Sequence, residues 1–316
     1  MKEGNKMKII EAPEVFEKLQ MKKCIEVMKD AFIKLEKGVC LQPPRTIHSL
    51  DSSNLFGFMP AYLGDCFGAK VINACHANIG TEYPSHIGYI IVFEAAHGTV
   101  LGMVEAGSVT QIRTGAVSGL ATDILARKDA DTMAVIGAGA QGRSHLEACM
   151  CVRDIKKVNV YDISKEAAEK YAAEMSGKFG VSVNVCGNVK EAVEDADIIC
   201  TVTPSKDAYL RAEWVKPGAH VNAVGTFTPV TREVTSELVA ASKLYADYKD
   251  SMKKESGEYL IPLKEGLITE DHIAGSIGEL LLGKAEGRLN DREITLFDAL
   301  GLAVEDVAAA KYILDN

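Results

Sequence analysis

The clearest chemistry in this chain of 316 residues lies in the run Met133-Ala-Val-Ile-Gly137-Ala-Gly139-Ala-Gln141-Gly142. An apolar segment runs straight into G-x-G-x-x-G, a turn suited to holding a pyrophosphate. Gly137 permits the tight turn. Gly139 lets the backbone approach the phosphates where a Cβ would collide, and Gly142 lets the next helix pack closely. The helix start offers unpaired N–H groups and a partial positive charge to an anion. The motif is common, so its surroundings must support it. Thr132–Ile136 has the apolar, partly β-branched profile of a buried parallel strand, and Gln141–Met150 reads as a helix. Lys157–Tyr161 alternates as a second strand and ends at Asp162, 25 residues after Gly137. That is close to the distance at which an acid grips the adenosine ribose hydroxyls. An acid there favours NAD, because it repels a 2′-phosphate; the nearby Lys165 keeps NADP open.

Three cations outside this region could handle a substrate. Arg45 follows Pro43-Pro44 in a stiff extended segment. Lys70 interrupts the apolar run Phe67-Gly-Ala-Lys70-Val-Ile, and Arg113 opens a helix rich in small residues. A guanidinium suits bidentate capture of a carboxylate. A lysine in an apolar strand loses hydration, so its pKa falls toward the range where it donates a proton. From spacing alone, a surface salt bridge accounts better for Arg45 and Arg113, and equally well for Lys70.

The elements that must position these groups fall into two textures. Pro13–Gly38 shows helical periodicity, Cys40–Glu105 is a series of short apolar runs broken by Gly, Pro and Asn, and Val109–Arg127 is helical again. From Thr132 strands and helices alternate: helix Lys165–Phe179, strand Val181–Val185, helix Val189–Ala196, then strands Asp197–Val202, His220–Val224 and Lys243–Ala246. A periodic helix, Ala299–Leu314, closes the chain. The expected fold is α/β, with a central Rossmann domain over 126–292. A second α+β domain for substrate binding and dimerisation would combine 1–125 with 293–316.

Composition excludes several classes. Hydrophobic residues are 47%, charged residues 25% and the net charge is −9. The charge and the lack of a basic run argue against nucleic acid, and no apolar stretch is long enough to span a membrane. Met1–Lys8 lacks the apolar core of a signal peptide, so a cytoplasmic location is expected. The eight cysteines include no C-x-x-C pair, and the seven histidines show no ligand spacing, so reduced thiols and no metal are expected.

Gln111-Ile-Arg113-Thr-Gly-Ala-Val-Ser-Gly-Leu-Ala-Thr122, Val135–Gly142, Phe67-Gly-Ala-Lys70-Val, Val221-Asn-Ala-Val-Gly225 and Thr295–Asp306 occur in an order that resembles the ornithine cyclodeaminase/mu-crystallin family. The resemblance spans nearly the whole chain. It implies a homodimer in which an NAD(P) domain is flanked by a composite substrate domain, and an activity among cyclodeaminases, alanine dehydrogenases and ketimine reductases. It implies that Arg45 and Arg113 bind the substrate α-carboxylate and that Lys70 hydrogen-bonds substrate and shuttles a proton. Gly139, Ala140 and Gln141 would form the pyrophosphate turn. Thr114, Asp162, Thr201, Val202, Thr203, Val224, Gly225 and Phe297 would contact the cofactor.

Two positions depart from the cyclodeaminases. Phe227 stands where they carry a catalytic aspartate, and Gly57 where they carry a glutamate before the Met-Pro of the first sheet. Cyclodeamination must move a second amine and hold a distal ammonium, and both tasks suit carboxylates. Reducing a ketimine needs a hydride, a carboxylate clamp and one protonated group. The expected activity is therefore NAD(P)H-dependent reduction of a small, rather apolar α-imino acid, or dehydrogenation of the α-amino acid. A true ornithine or lysine cyclodeaminase remains the alternative if Glu105, Glu233 or Asp247 replaces the missing acid. A cofactor-binding protein without activity is a third reading, which retention of Arg45, Lys70 and Arg113 disfavours.

Overall fold

The computed structural model describes residues 7–51, 54–75, 78, 81–84 and 86–316. The chain divides into two compact units, Met1–Arg113 with Leu302–Asn316, and Thr114–Gly301.

In the first unit, β1 (Lys8–Ile10), β2 (Thr46–Ser49), β3 (Asn54–Tyr62), β4 (Cys66–Cys75), β5 (His86–Glu94) and β6 (Val100–Glu105) form one sheet in the order β1-β6-β5-β4-β3-β2. Strands β2 to β6 pair antiparallel, and β1 adds in parallel to β6. Side chains alternate as the pleat requires: Gly57, Met59 and Ala61 of β3 are buried, while Phe58 between them is exposed. Helix α1 (Ala12–Lys18) and α2 (Met21–Glu36) precede the sheet, and the final helix, α11 (Ala303–Asp315), packs across β3 to β6 and along α2. The single helix expected over 13–38 is broken at Leu19, whose backbone leaves the helical region, and at the extended Gln20. The break lets Leu19 and Met21 both reach the core, which an unbroken helix would point about 200° apart.

In the second unit, β7 (Thr132–Ile136), β8 (Lys157–Tyr161), β9 (Ser182–Val185), β10 (Ile198–Thr201), β11 (His220–Ala223), β12 (Ser242–Ala246), β13 (Ile273–Ser276) and β14 (Ile294–Asp298) form a sheet in the order β13-β12-β14-β11-β10-β7-β8-β9. Every pairing is parallel. The connecting helices are α3 (Ala106–Leu125), which crosses from the first unit, α4 (Ala140–Val152), α5 (Lys165–Phe179), α6 (Val189–Val193), α7 (Ser236–Ala241), α8 (Lys249–Glu255), α9 (Gly257–Lys264) and α10 (Ile277–Leu281). Both faces of β7 are buried. Met133 and Val135 enter a core with Leu146 and Tyr171, while Ala134 and Ile136 enter another with Val193 and Leu238. That is why Thr132–Ile136 reads as an unbroken apolar run rather than an alternating one. The chain leaves β7 toward β8 and β9 on one side and returns to β10 and β11 on the other, so β7 lies at a topological switch point.

Three boundaries differ from the expected ones. Residues 294–298 form β14 between β11 and β12, so this stretch belongs to the parallel sheet and not to the substrate domain. The second half of α3 joins the same unit. A Cβ at Gly115 would lie 2.2 Å from Ser144 Oγ in α4, which shows how closely the two helices meet. The last helix begins at Ala303, not Ala299, because Asp247 accepts the N–H groups of Leu300 and Gly301 and Gly301 takes a positive φ of 76°. Among the described residues no helix is long and apolar enough to cross a membrane.

Candidate active site

The glycine turn joins β7 to α4. Gly137 has φ 109°, and a Cβ there would lie 2.9 Å from the Val202 carbonyl oxygen. At Gly142 a Cβ would lie 2.3 Å from the Gly137 oxygen, so this position must stay bare for α4 to pack. Gly139 differs: an added Cβ meets nothing within 4 Å. It is the N-cap of α4, no side chain caps the helix, and Gly139 and Ala140 are exposed. The first-turn N–H groups have no intrahelical acceptor and point along a helix dipole of 13 residues. The open space at Gly139 and these donors fit a pyrophosphate. Asp162, at the end of β8, accepts from Ala138 N–H at 2.8 Å and from Ser164 N–H at 2.8 Å, which ties the turn to the neighbouring strand.

The segments Thr201–Thr203 and Val224–Gly225 follow β10 and β11 at the same carboxyl edge, where open α/β sheets bind ligands. A buried carboxylate holds them together. Glu233 accepts from Thr203 N–H, Thr203 Oγ1 and Tyr209 OH, each at 2.7 Å, and from Gly225 N–H at 2.8 Å. Thr201 and Phe297 are fully buried within β10 and β14, and Thr114 is buried in α3.

In the first unit, Lys70 lies inward on β4, opposite Met59 of β3 and Ile90 of β5. Its Nζ forms an ion pair with Asp306 Oδ2 at 2.7 Å and donates weakly to Thr110 Oγ1 at 3.4 Å. Arg113, one turn after Thr110 on α3, donates from Nε to Asp306 Oδ1 at 3.0 Å and from Nη1 to Glu305 Oε2 at 2.5 Å. All four charged groups are at least 95% buried; Lys70 is 3% exposed, Arg113 5%, and Glu305 and Asp306 0%. Two cations and two anions balance, which such burial requires. The acids sit in the first turn of α11, where the helix dipole favours negative charge. Burial pulls the Lys70 ammonium down to about 8, against the opposing pull of Asp306; Arg113 and Arg45 lower it further. Arg113 stays charged, raised by Asp306 and Glu305 although its burial opposes this. Lys70 and Arg113 thus meet at one carboxylate, and the charge of Arg45 is felt at Lys70.

Glu305 and Asp306 are site groups that the sequence reading does not single out. Their signal is faint: Glu305-Asp306 stands in a run otherwise apolar through Ala310. The three candidate replacement acids are all engaged. Glu105 caps α3 through Gly107 N–H at 2.5 Å and Ser108 N–H at 2.8 Å. Glu233 holds the loops described, and Asp247 holds Leu300 N–H at 2.7 Å and Gly301 N–H at 2.9 Å.

A switch-point sheet with an open glycine turn, in a chain that also carries a buried lysine–arginine cluster, defines a dinucleotide-binding α/β protein equipped for a small anionic substrate. Residues 5–316 match the ornithine cyclodeaminase/mu-crystallin family, and the chain belongs to it. The ketimine reductase mu-crystallin of Mus musculus is 35% identical over 288 residues, covering 90% of this chain and 88% of that protein. The structure of the Thermococcus litoralis Delta(1)-pyrroline-2-carboxylate reductase in complex with NADH and L-proline is similar at TM-score 0.95. Identity is 38%, covering 98% of this chain and 97% of that one. An archaeal alanine dehydrogenase dimer with bound NAD is similar at TM-score 0.92 and 31% identity, covering 98% and 95% of the two chains.

Proposed function

We propose that this chain reduces a small α-imino acid with NAD(P)H, with NADH favoured. The observation that carries the reading is the buried Lys70 ammonium, brought to about 8 beside Arg113 and Asp306. An ammonium in that range is charged at neutral pH and acidic enough to release its proton. NAD(P)H, when bound at the glycine turn, would supply the hydride that reduces the imine carbon. Arg45 and Arg113 hold the substrate carboxylate; Nε and Nη1 of Arg113 donate to Asp306 and Glu305, which leaves Nη2 as its remaining nitrogen donor. Lys70 protonates the imine nitrogen, which becomes the amine, and recovers its proton from solvent. Gly139, Ala140 and Gln141 would hold the pyrophosphate, and the Asp162 carboxylate would hold the adenosine ribose hydroxyls, which supports NAD over NADP.

The substrate side chain is apolar. A Cβ at Gly57 would lie 3.1 Å from Ile72 Cγ2 and 3.2 Å from Ile47 Cδ1. Both isoleucines share the Lys70 face of the sheet, so two aliphatic groups stand where a cyclodeaminase would place a carboxylate. The opposite face supports a homodimer: Phe58 is 40%, Phe67 37% and Ile87 43% exposed on one side of the sheet. The cysteines form no disulfide among the described residues, which supports a cytoplasmic location.

A substrate panel followed by NADH and NADPH absorbance tests the reading. Turnover of pyrroline- or piperideine-2-carboxylate, or of pyruvate with ammonia, is expected. Ammonia release from ornithine with catalytic NAD would establish a cyclodeaminase instead. Tight NADH binding with no turnover of any member would establish a binding protein.

A further inference from the structure

Lys70, Arg113 and Asp306 lie on three elements, β4, α3 and α11, and one carboxylate joins them. Its Oδ2 is 2.7 Å from Lys70 Nζ, and its Oδ1 is 3.0 Å from Arg113 Nε. Asp306 is fully buried, so water does not compete for either oxygen. We propose that Asp306 is a positioning residue for imine reduction, clamping the ammonium and the guanidinium at a set separation so that Lys70 is aimed at the substrate nitrogen while Arg113 holds the carboxylate. This rests on the reductase reading above.

The donor count supports it. An ammonium has three N–H bonds. The ion pair with Asp306 and the hydrogen bond to Thr110 engage at most two of them, which leaves at least one for substrate. Without Asp306 two like charges would face each other in a buried space. The charged groups around Lys70 are Asp306 and Glu305 of α11, Arg113 of α3 and Arg45 before β2. Asp306 is the anion in direct contact. Glu305 holds Arg113 separately, so replacing Asp306 leaves that guanidinium paired.

The test compares Asp306→Asn and Asp306→Glu with the full-length wild type. Titration of the Lys70 side chain by nitrogen-15 NMR, with its resonance assigned from Lys70→Arg, needs no substrate. Loss of the carboxylate should lower the Lys70 midpoint by about one to three pH units, the effect of removing an adjacent opposite charge. Asp306→Glu keeps the charge but moves it by one methylene. Its midpoint should stay near that of wild type while kcat for the imine falls by about tenfold or more, with NADH affinity unchanged. An unmoved midpoint in Asp306→Asn, or wild-type kcat in Asp306→Glu, overturns the proposal. If Asp306→Asn does not fold, the Asp306→Glu split between midpoint and kcat decides. A wild-type protein that reduces no imine defeats the reductase reading, and the midpoint shift still reports whether the clamp exists.

Discussion

Replacing Gly139 with alanine should separate the needs of the fold from those of the cofactor. Gly139 has φ −80° and ψ −163°, extended backbone that alanine adopts freely, and its Cβ would meet no atom within 4 Å. Alanine at an N-cap costs up to about 1 kcal/mol relative to glycine, whereas restricting the unfolded chain returns about 0.4–1 kcal/mol. Folding stability should therefore change by less than about 1 kcal/mol. The new methyl group, however, fills the space through which phosphate oxygens approach the N–H groups of the first turn. Loss of one charge-assisted hydrogen bond costs about 1.5–3 kcal/mol, or about 10- to 100-fold in NADH affinity. NADH fluorescence titration and thermal melting measure the two effects. Gly142→Ala is the contrasting variant, because its Cβ lands 2.3 Å from the Gly137 carbonyl oxygen and the backbone must shift. It should lose stability as well as binding. Wild-type NADH affinity in Gly139→Ala, or melting as poor as that of Gly142→Ala, would refute the assignment of the turn.

Four further outcomes are expected. Lys70→Met should cut imine reduction by about 100-fold or more while NADH binding is retained. In the wild type, the protonated lysine is the competent form, so kcat/KM should fall as pH rises through about 8; a profile flat across that pH would contradict it. Asp298, raised to about 7 by burial and held by Ser256, binds its proton more tightly folded than unfolded, so its contribution to stability is lost as pH rises through about 7. Asp298→Asn should therefore melt higher than wild type at alkaline pH, with the gap closing toward the unfolded carboxyl range; an equal gap at both ends would show that the ionisation is not responsible. Phe58→Asp, on the open sheet face, should shift the protein toward monomer in sedimentation, and an unchanged mass would remove that face from the dimer.

The nucleotide half was legible because its signals are local. The turn from Gly137 to Gly142, the strand before it and Asp162 after it depend on backbone sterics and short-range periodicity, and the structure places them together at one edge of the sheet. Strand β14 was not legible: the five residues Ile294–Asp298, near the end of the chain, insert between β11 and β12, and only sheet register makes that place for them. Leu19, read as one turn of a longer helix, instead breaks it, because the core accepts both Leu19 and Met21.

By itself the sequence determined that a glycine turn suited to a dinucleotide follows an apolar strand and that Lys70 lies in an apolar run. Tertiary structure decided what those groups meet. Asp306 lies 193 residues from Arg113, and Glu233 lies 30 residues from Thr203, yet each accepts hydrogen bonds that no local pattern announces. A buried charge must find its counter-charge wherever packing brings one, so the partner is set by how the elements stack and not by distance along the chain.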